Sequence, residues 1–240
     1  MRPAPATPPK RAPRRWRPLG AAGGYGHGVQ GFAHGVQGFA AIMLAGGAGR
    51  RLGGAAKPSL PVAGRRMLDL VLDAVADAAP VVVVGRVSDG LPAHVLTTVE
   101  DPPGEGPVAA AAAGVALLPR DTECVALLAA DLPFLTRPAV AQLRRHLDSS
   151  TVDGVLYVDG AGRRQLLCGL WRVPPLRAAF DRLAHGSQAA AGGRGLAGAS
   201  MRALLAGLHA REVAWSEPGP PPWFDCDTDD DLRQAEEWAR

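Results

Sequence analysis

A glycine-rich segment that carries three positive side chains follows the first apolar run of the chain. It reads LAGGAGRRLGGAAK at residues 44–57 and contains Arg50, Arg51 and Lys57. Glycines let the backbone turn tightly and present N–H groups to an anion, while Arg and Lys add charge that suits a triphosphate. The spacing fits neither the Walker A loop nor the dinucleotide-binding G-x-G-x-x-G motif. The segment therefore predicts a phosphate-binding loop, with a purely structural loop as the alternative.

A carboxylate, Asp131, directly follows the apolar run CVALLAA at residues 124–130. We expect this run to be a central strand, and open α/β sheets bind ligands at the carboxyl ends of their strands. A carboxylate suits Mg2+, which keeps several waters and bridges substrate phosphates, whereas an unpaired buried Asp is costly. Asp131 is therefore predicted to bind Mg2+, unless it only caps the next helix or turn.

Short apolar runs alternate with amphipathic stretches from Ala40 onward, a pattern typical of βαβ units. The predicted strands are residues 40–45, 81–84, 94–99 and 124–130. The predicted helices are 67–78, 107–118, 137–147, 175–184, 200–208 and a last helix after Asp227 with Thr228 as its N-cap. Segments 154–158 and 165–173 predict a hairpin around DGAGR. Residues 39–240 are therefore predicted to form a three-layer Rossmann-like α/β fold with a mostly parallel sheet and an antiparallel hairpin.

Residues 1–38 have a different composition from the rest of the chain. The first 18 residues hold six prolines and six basic residues but no acid, and HGVQGFA occurs twice, at 27–33 and 34–40. Such a segment buries too little apolar surface to offset its ordering entropy, and two seven-residue copies are too few for a solenoid. We expect residues 1–38 to be a disordered extension.

Composition excludes several classes of protein. The formal charge of +3 arises in the extension, because 20 basic and 23 acidic residues remain without it, so the body lacks the basic excess of a nucleic-acid binder. Cys124, Cys168 and Cys226 are too far apart to predict a disulfide framework or a zinc site. No apolar stretch is long enough for a membrane span or a secretory signal. We expect a cytoplasmic protein.

Five segments, in order along the chain, resemble the signature of small nucleotidyltransferases, and most of all that of the molybdenum cofactor guanylyltransferases. They are LAGGAGRRLGGAAK, VEDPPGEGPVAA (99–110), LLAADLPFL (127–135), DGAGRRQLL (159–167) and FDCDTDDDL (224–232). The resemblance covers about residues 40–240. It implies a nucleotidyltransferase fold, transfer of GMP from GTP to molybdenum-molybdopterin with release of pyrophosphate, a requirement for Mg2+, and transient contact with enzymes that use the molybdenum cofactor.

The resemblance also implies roles for individual residues at matched positions. Those expected to hold the base and phosphates are Leu44, Ala45, Gly46 and Gly47. Those expected to act on the triphosphate are Arg50 and Lys57, together with Asp131. Asp101 and Gly106 match positions around the base and ribose. Asp227 is the second Mg2+ candidate beside Asp131, and its alternative is a helix N-cap.

Some positions depart from the family pattern or leave their role open. Ala56 stands where the family usually has an Asp before the Lys, Asp225 replaces an Asn seen in some members, and Leu166 stands where Pro is frequent. The turn around Arg163–Gln165 is expected to meet the acceptor's phosphate, with a solvated turn as an equal alternative.

Other functions share the same landmarks. A cytidylyltransferase that uses CTP with molybdopterin, or a guanylyltransferase for a deazaflavin cofactor precursor, would carry the same loop, because base choice depends on hydrogen bonds that the sequence does not locate. A noncatalytic nucleotide-binding scaffold would bind the triphosphate without turnover. The oligomeric state is likewise not determined by the sequence.

Overall fold

A computed structural model describes residues 38–46, 57–87, 90–189 and 195–240, without the side chains of residues 187–189. These residues belong to one compact unit that spans Gly35–Arg240. Apart from Gly38, the N-terminal extension that is expected to be disordered lies outside the described ranges. Gly47 and Arg50 also lie outside them, so their expected roles stay predictions.

The described residues form nine strands. Their bounds are Ala40–Leu44 (β1), Pro61–Val62 (β2), Arg65–Arg66 (β3), Val81–Val84 (β4), Val95–Thr98 (β5), Cys124–Ala129 (β6), Gly154–Val158 (β7), Arg164–Arg172 (β8) and Ala210–Ala214 (β9). Seven of them make one sheet in the order β5-β4-β1-β6-β8-β7-β9, and β2 pairs with β3. Strands β5, β4, β1 and β6 are parallel, and only β8 runs against its two neighbours. The predicted parallel sheet with an antiparallel hairpin is confirmed.

Six α-helices lie within the described ranges. They are Met67–Ala74 (α1), Pro107–Ala116 (α2), Arg137–Asp148 (α3), Val173–Ala189 (α4), Met201–Leu205 (α5) and Asp229–Trp238 (α6). Pro107 and Pro138 lie in the first turns of α2 and α3, where a missing N–H costs nothing. Thr136 caps α3 by accepting the Ala139 N–H.

Both faces of the sheet are covered, which gives the three predicted layers. All five residues of β1 are buried, and because side chains alternate along a strand they supply both cores. Ala41 and Met43 pack with α1 and α3, whereas Ile42 and Leu44 pack with α2, α4 and α5. A strand that is apolar on both faces is the signature of such a doubly covered sheet.

A third, smaller core lies beside the sheet and was not predicted from the sequence. Val62 of the β2–β3 hairpin, Met67 of α1, Cys226 and Ala235 of α6 form its buried centre. The hairpin turn places both Ala63 and Gly64 at positive φ, 49° and 74°, as a two-residue type I′ turn requires. This core joins the chain just after the glycine-rich segment to the C-terminal region.

Some element boundaries differ from the sequence-based expectations. Helix α1 ends at Ala74 rather than residue 78, α4 continues to Ala189 rather than 184, and α5 ends at Leu205 rather than 208. Strand β9 had not been predicted. It lies at the edge of the sheet, where Arg211 and Glu212 are exposed, so it lacks the apolar pattern of a buried strand.

The hairpin of β7 and β8 depends on a glycine opposite a tryptophan. Gly154 pairs with the fully buried Trp171 across the ladder. A Cβ at Gly154 would lie 2.1 Å from Cε3 of the indole ring. We predict that Gly154→Ala destabilises the fold by about 2–3 kcal/mol or more, as overpacking of a rigid core does. Thermal unfolding should show a Tm lower by roughly 4–12 °C for a chain of this size.

The control is Gly160→Ala in the turn of the same hairpin, where a Cβ would meet nothing within 4 Å. This variant should unfold within about 0.5 kcal/mol of the wild type, as surface substitutions do. Equal Tm values for the two variants would contradict the packing argument.

Candidate active site

The carboxyl ends of β1, β4 and β6 meet at one edge of the sheet. The Ala45 N–H donates to the Val84 carbonyl at 2.8 Å, and the Ala130 N–H donates to the Leu44 carbonyl at 3.1 Å. The glycine-rich segment therefore leaves β1 directly beside the residue that precedes Asp131. Asp131 lies at the predicted strand end, and its side chain is half-buried. Thr136 is the N-cap of α3, so the alternative prediction that Asp131 caps this helix is wrong.

Lys57 is the last residue of the glycine-rich segment, and the described chain resumes there. It opens a short 3-10 turn, Lys57–Ser59, and its carbonyl accepts the Leu60 N–H at 3.0 Å. Its ammonium group forms an ion pair with the carboxylate of Asp227, 170 residues away in the chain. The Lys57 side chain is 21% exposed, whereas that of Asp227 is 57% exposed. The pair therefore lies at the surface, with the lysine on its covered side.

The segment from Asp225 to Thr228 is positioned by alternation of buried and exposed side chains. Cys226 is fully buried in the third core, which turns Asp225 and Asp227 outward on either side of it. Thr228 is the N-cap of α6 and forms a reciprocal capping box with Asp231. The prediction of Thr228 as the cap is confirmed, and the alternative of Asp227 as the N-cap is wrong.

Aromatic contacts fix the chain that leads to this segment. The ring of Trp223 lies 5.3 Å from that of Tyr157 on β7, and the ring of Trp215 lies 5.7 Å from it edge-on. The hydroxyl of Tyr157 lies within hydrogen-bond distance of two acceptors in α3, the Ala139 carbonyl at 2.9 Å and Gln142 Oε1 at 2.7 Å. Residues 215–223 are thus packed against β7, and they carry Asp225 and Asp227 to the edge of the sheet where Asp131 lies.

The electrostatics show that four charged residues share this site. Burial, and next the negative charge of Asp225, raise the pKa of Asp131 to about 6, while the charge of Lys57 opposes the rise. Asp227 also adds to the rise. Because these effects depend on proximity, Lys57 and Asp131 lie close together at this edge of the sheet, and the surface between Lys57, Asp131 and Asp227 is called the cleft below. The tertiary structure thus brings together three of the predicted residues, Lys57, Asp131 and Asp227.

Asp225 takes part in this site although the sequence left its role open. Loss of solvent, and next the charge of Asp227, raise the pKa of Asp225. The buried thiol of Cys226 has its pKa raised to about 12 by burial and then by the charge of Asp131. Carboxylates that crowd one another in this way favour a cation or a shared proton between them.

The donor set limits the kind of metal site that this cleft can form. Among the described residues, no group of three or more His, Cys, Asp or Glu side chains is arranged to hold a metal ion. Mg2+ does not need such a group, because it is usually bound by one or two carboxylates, with substrate phosphates and waters as its other ligands. Asp131 and Asp227 fit a substrate-bridged ion of this type.

The other predicted nucleotide contacts lie along the same edge of the sheet. Leu44 and Ala45 are almost completely buried, and Gly46 is exposed where the chain leaves β1. Asp101 and Gly106 lie in the loop between β5 and α2, with Gly106 at the N-cap of α2. The end of β5 lies about 14 Å along the edge from the end of β6. From there the loop leads into α2, which packs against β1 and β4, so Gly106 begins the helix that returns toward β1.

The hairpin turn expected to meet the acceptor also lies at this edge, between β7 and β8. Its two arginines are partly engaged by acids: Arg164 Nε lies 2.6 Å from Glu212 Oε1 and Arg163 Nε lies 3.4 Å from Asp159. The Asp159 carboxylate also accepts the N–H groups of Ala161 and Arg163. Arg164 is therefore occupied by β9, whereas the more exposed Arg163 faces solvent.

A mostly parallel sheet with a glycine-rich segment, a lysine and carboxylates at its carboxyl edge is the architecture of a nucleotidyltransferase, and comparison with known proteins places the chain in that class. The profile of the MobA-like NTP transferase domain matches residues 41–210. The chain belongs to this family.

Relatives of known name and structure agree with this assignment. A molybdenum cofactor guanylyltransferase of Bradyrhizobium sp. (strain ORS 278) is 32% identical over 208 residues, which cover 82% of this chain and 92% of that protein. Molybdopterin-guanine dinucleotide biosynthesis protein A from Archaeoglobus fulgidus shares the fold, with 18% identity, a TM-score of 0.60 and coverage of 83% and 97% of the two chains.

A second solved structure shows how widely the fold is used. The 2-C-methyl-D-erythritol 4-phosphate cytidylyltransferase from Thermus thermophilus has 19% identity and a TM-score of 0.61, over 85% of this chain and 99% of its own. At that identity the likeness establishes the fold and leaves the substrates open. No helix within the described ranges is long and apolar enough to cross a membrane.

Proposed function

We propose that this chain transfers GMP from GTP to molybdenum-molybdopterin and releases pyrophosphate, in a reaction that requires Mg2+. Its similarity to several proteins named molybdenum cofactor guanylyltransferase supports the substrates. The observation that carries the proposal is the convergence of Lys57 with Asp131 and Asp227 at the edge where the glycine-rich segment leaves β1. The two ends of that segment are thereby brought to one cleft.

The reaction is an in-line displacement at the α-phosphorus of the triphosphate. An oxygen of the acceptor's terminal phosphate forms a new P–O bond while the bond to the β-phosphate oxygen breaks, and pyrophosphate leaves with that oxygen and the electron pair. No covalent intermediate with the protein is required. Catalysis then depends on positioning and on neutralisation of the charge that develops on the phosphate oxygens.

Residues of this chain supply both the positioning and the charge neutralisation. Lys57 places its ammonium group against the phosphates. In the free protein, its ion pair with Asp227 holds that group within reach of them. Arg50 adds a second positive charge from the glycine-rich segment. Leu44 and Ala45 form the start of the binding surface, and the N–H groups of Gly46 and Gly47 bind phosphate oxygens. Asp101 and Gly106, in the loop between β5 and α2, hold the base and ribose.

Asp131 and Asp227 are the residues that would hold Mg2+. Burial and then the charge of Asp225 raise the pKa of Asp131, Asp227 adds to the rise, and a divalent cation would offset this unfavourable charge. When bound, the ion would neutralise the phosphate oxygens of the triphosphate and of the leaving pyrophosphate. Asp227 would be one of its ligands, and Lys57, which pairs with Asp227 in the free protein, would bind the nucleotide phosphates.

An assay of pyrophosphate release tests the proposal. The purified chain is incubated with GTP or CTP, with or without Mg2+, and with molybdopterin that does or does not carry molybdenum. We expect release only with GTP, acceptor and Mg2+ together. Preferential turnover of CTP would instead assign a cytidylyltransferase, and no release with any pair would reject the proposed substrates.

A further inference from the structure

The residue at the end of β4 approaches the start of the glycine-rich segment unusually closely. At Gly85, φ is +140°, and a Cβ would lie 2.7 Å from the carbonyl carbon of Ala45 and 2.9 Å from the nitrogen of Gly46. The atoms in conflict are backbone atoms, so no side-chain rotation can relieve them. The close approach of the chain at the end of β1 therefore requires glycine at position 85.

The backbone around Gly85 is held in place on its other side. The Gly85 N–H donates to the Thr98 carbonyl at 2.9 Å, and the Val87 N–H donates to the Gly85 carbonyl at 3.1 Å. Since the Ala45 N–H also donates to Val84, β4 cannot withdraw from β1 without breaking ladder bonds. A side chain at position 85 would have to push the Ala45–Gly46 peptide toward the cleft.

We propose that Gly85 is a positioning residue for nucleotide binding: its missing side chain lets β4 support the Ala45–Gly46 peptide, the first peptide of the phosphate-binding segment, in its binding conformation. This inference rests on the proposed function, in which the N–H groups of Gly46 and Gly47 meet the phosphates. Gly85 itself need not touch the nucleotide. Displacement of the peptide by a fraction of an ångström would misdirect the N–H of Gly46.

The test compares Gly85→Ala with two matched glycine variants. Gly114→Ala would place a Cβ 2.7 Å from Ile42 Cγ2 and 3.0 Å from Val84 Cγ2, so it strains the same two strands through side chains in the core. Gly90→Ala introduces a side chain at a positive φ of 78°, where the Cβ meets only the flexible guanidinium of Arg66 at 3.2 Å. The first control reports packing stress, and the second reports backbone strain.

Steady-state kinetics are measured on the folded fraction of each variant, together with the Tm. For Gly85→Ala we expect kcat/KM for the triphosphate to fall on the order of 10²-fold, mainly through KM, because a small misplacement of a binding group has an effect of that size. Both controls should keep kcat/KM within about threefold of the wild type, even if Gly114→Ala lowers the Tm as much as Gly85→Ala does. Unchanged kinetics in Gly85→Ala, or equal losses in all three variants, would overturn the inference.

Hydrogen exchange in the wild-type protein provides a measurement that does not depend on a variant folding. Addition of GTP and Mg2+ should slow exchange in peptides that cover residues 43–46 and residues 83–87 together. Protection of residues 43–46 without protection of residues 83–87 would overturn the inference. A wild type that shows no turnover with GTP or CTP would instead reject the proposed function, which separates the two failures.

Discussion

Asp131→Asn is expected to lower kcat by on the order of 10²-fold or more while making the protein more stable at neutral pH. The amide keeps the shape of the carboxylate, but it removes the charge that would hold Mg2+ and that burial and Asp225 make unfavourable. Function and stability therefore conflict at this residue, as they frequently do where an active site holds a strained charge.

The pH dependence of that stability follows from the raised pKa. An unfolded chain releases the Asp131 proton near pH 4, whereas the folded protein holds it up to about 6. Between these values the folded state binds more protons, so stability falls as pH rises through this window, and the full penalty is present above pH 6. We expect a penalty of about 1–3 kcal/mol, which the asparagine variant does not carry.

Thermal unfolding across pH checks this prediction. The Tm of Asp131→Asn should exceed that of the wild type at pH 7.5, and the difference should disappear toward pH 4. Asp153→Asn is a suitable comparison, since Asp153 accepts the His209 N–H at 2.8 Å at an exposed site away from the cleft. A wild type that is more stable than Asp131→Asn at pH 7.5 would contradict the electrostatic argument, and normal turnover would remove Asp131 from the reaction.

Lys57→Met is expected to lower kcat/KM for the triphosphate by on the order of 10²-fold or more. Methionine keeps much of the length and apolar stem of lysine but has no charge to set against the phosphates. The fold should persist, because the Lys57 side chain lies at the mouth of the cleft and pairs with the exposed Asp227. Circular dichroism and Tm should stay close to those of the wild type.

The same variant should also change how activity depends on pH. Lys57 lowers the pKa of Asp131, so without it that carboxylate should ionise at a higher pH than about 6. The acidic limb of the kcat/KM profile should accordingly move to higher pH in Lys57→Met. Lys57→Arg retains the charge and should leave the limb in place, even if the different geometry of the guanidinium reduces kcat. If the acidic limb of the kcat/KM profile does not move in Lys57→Met, Lys57 and Asp131 do not interact.

Local patterns in the chain were sufficient for most of the sheet. Ala40–Leu44, Val81–Val84 and Cys124–Ala129 are apolar on both faces, so they predicted buried parallel strands with bounds close to those observed. The position of Asp131 at a strand end followed from the same pattern. The turn composition between residues 158 and 164 predicted the hairpin, and Thr228 predicted the start of α6. In each case the signal lies within about ten consecutive residues.

Contacts between distant segments were not accessible in this way. Lys57 and Asp227 are 170 residues apart, and they meet because Cys226 is buried against Val62 and Met67 in a small core that no local periodicity indicates. The clash that excludes a side chain at Gly85 arises from β1, not from the neighbours of Gly85 in the chain. The pKa of Asp131 depends on the same assembly. Periodicity reports whether a residue is buried, whereas packing between remote segments decides which charges face one another.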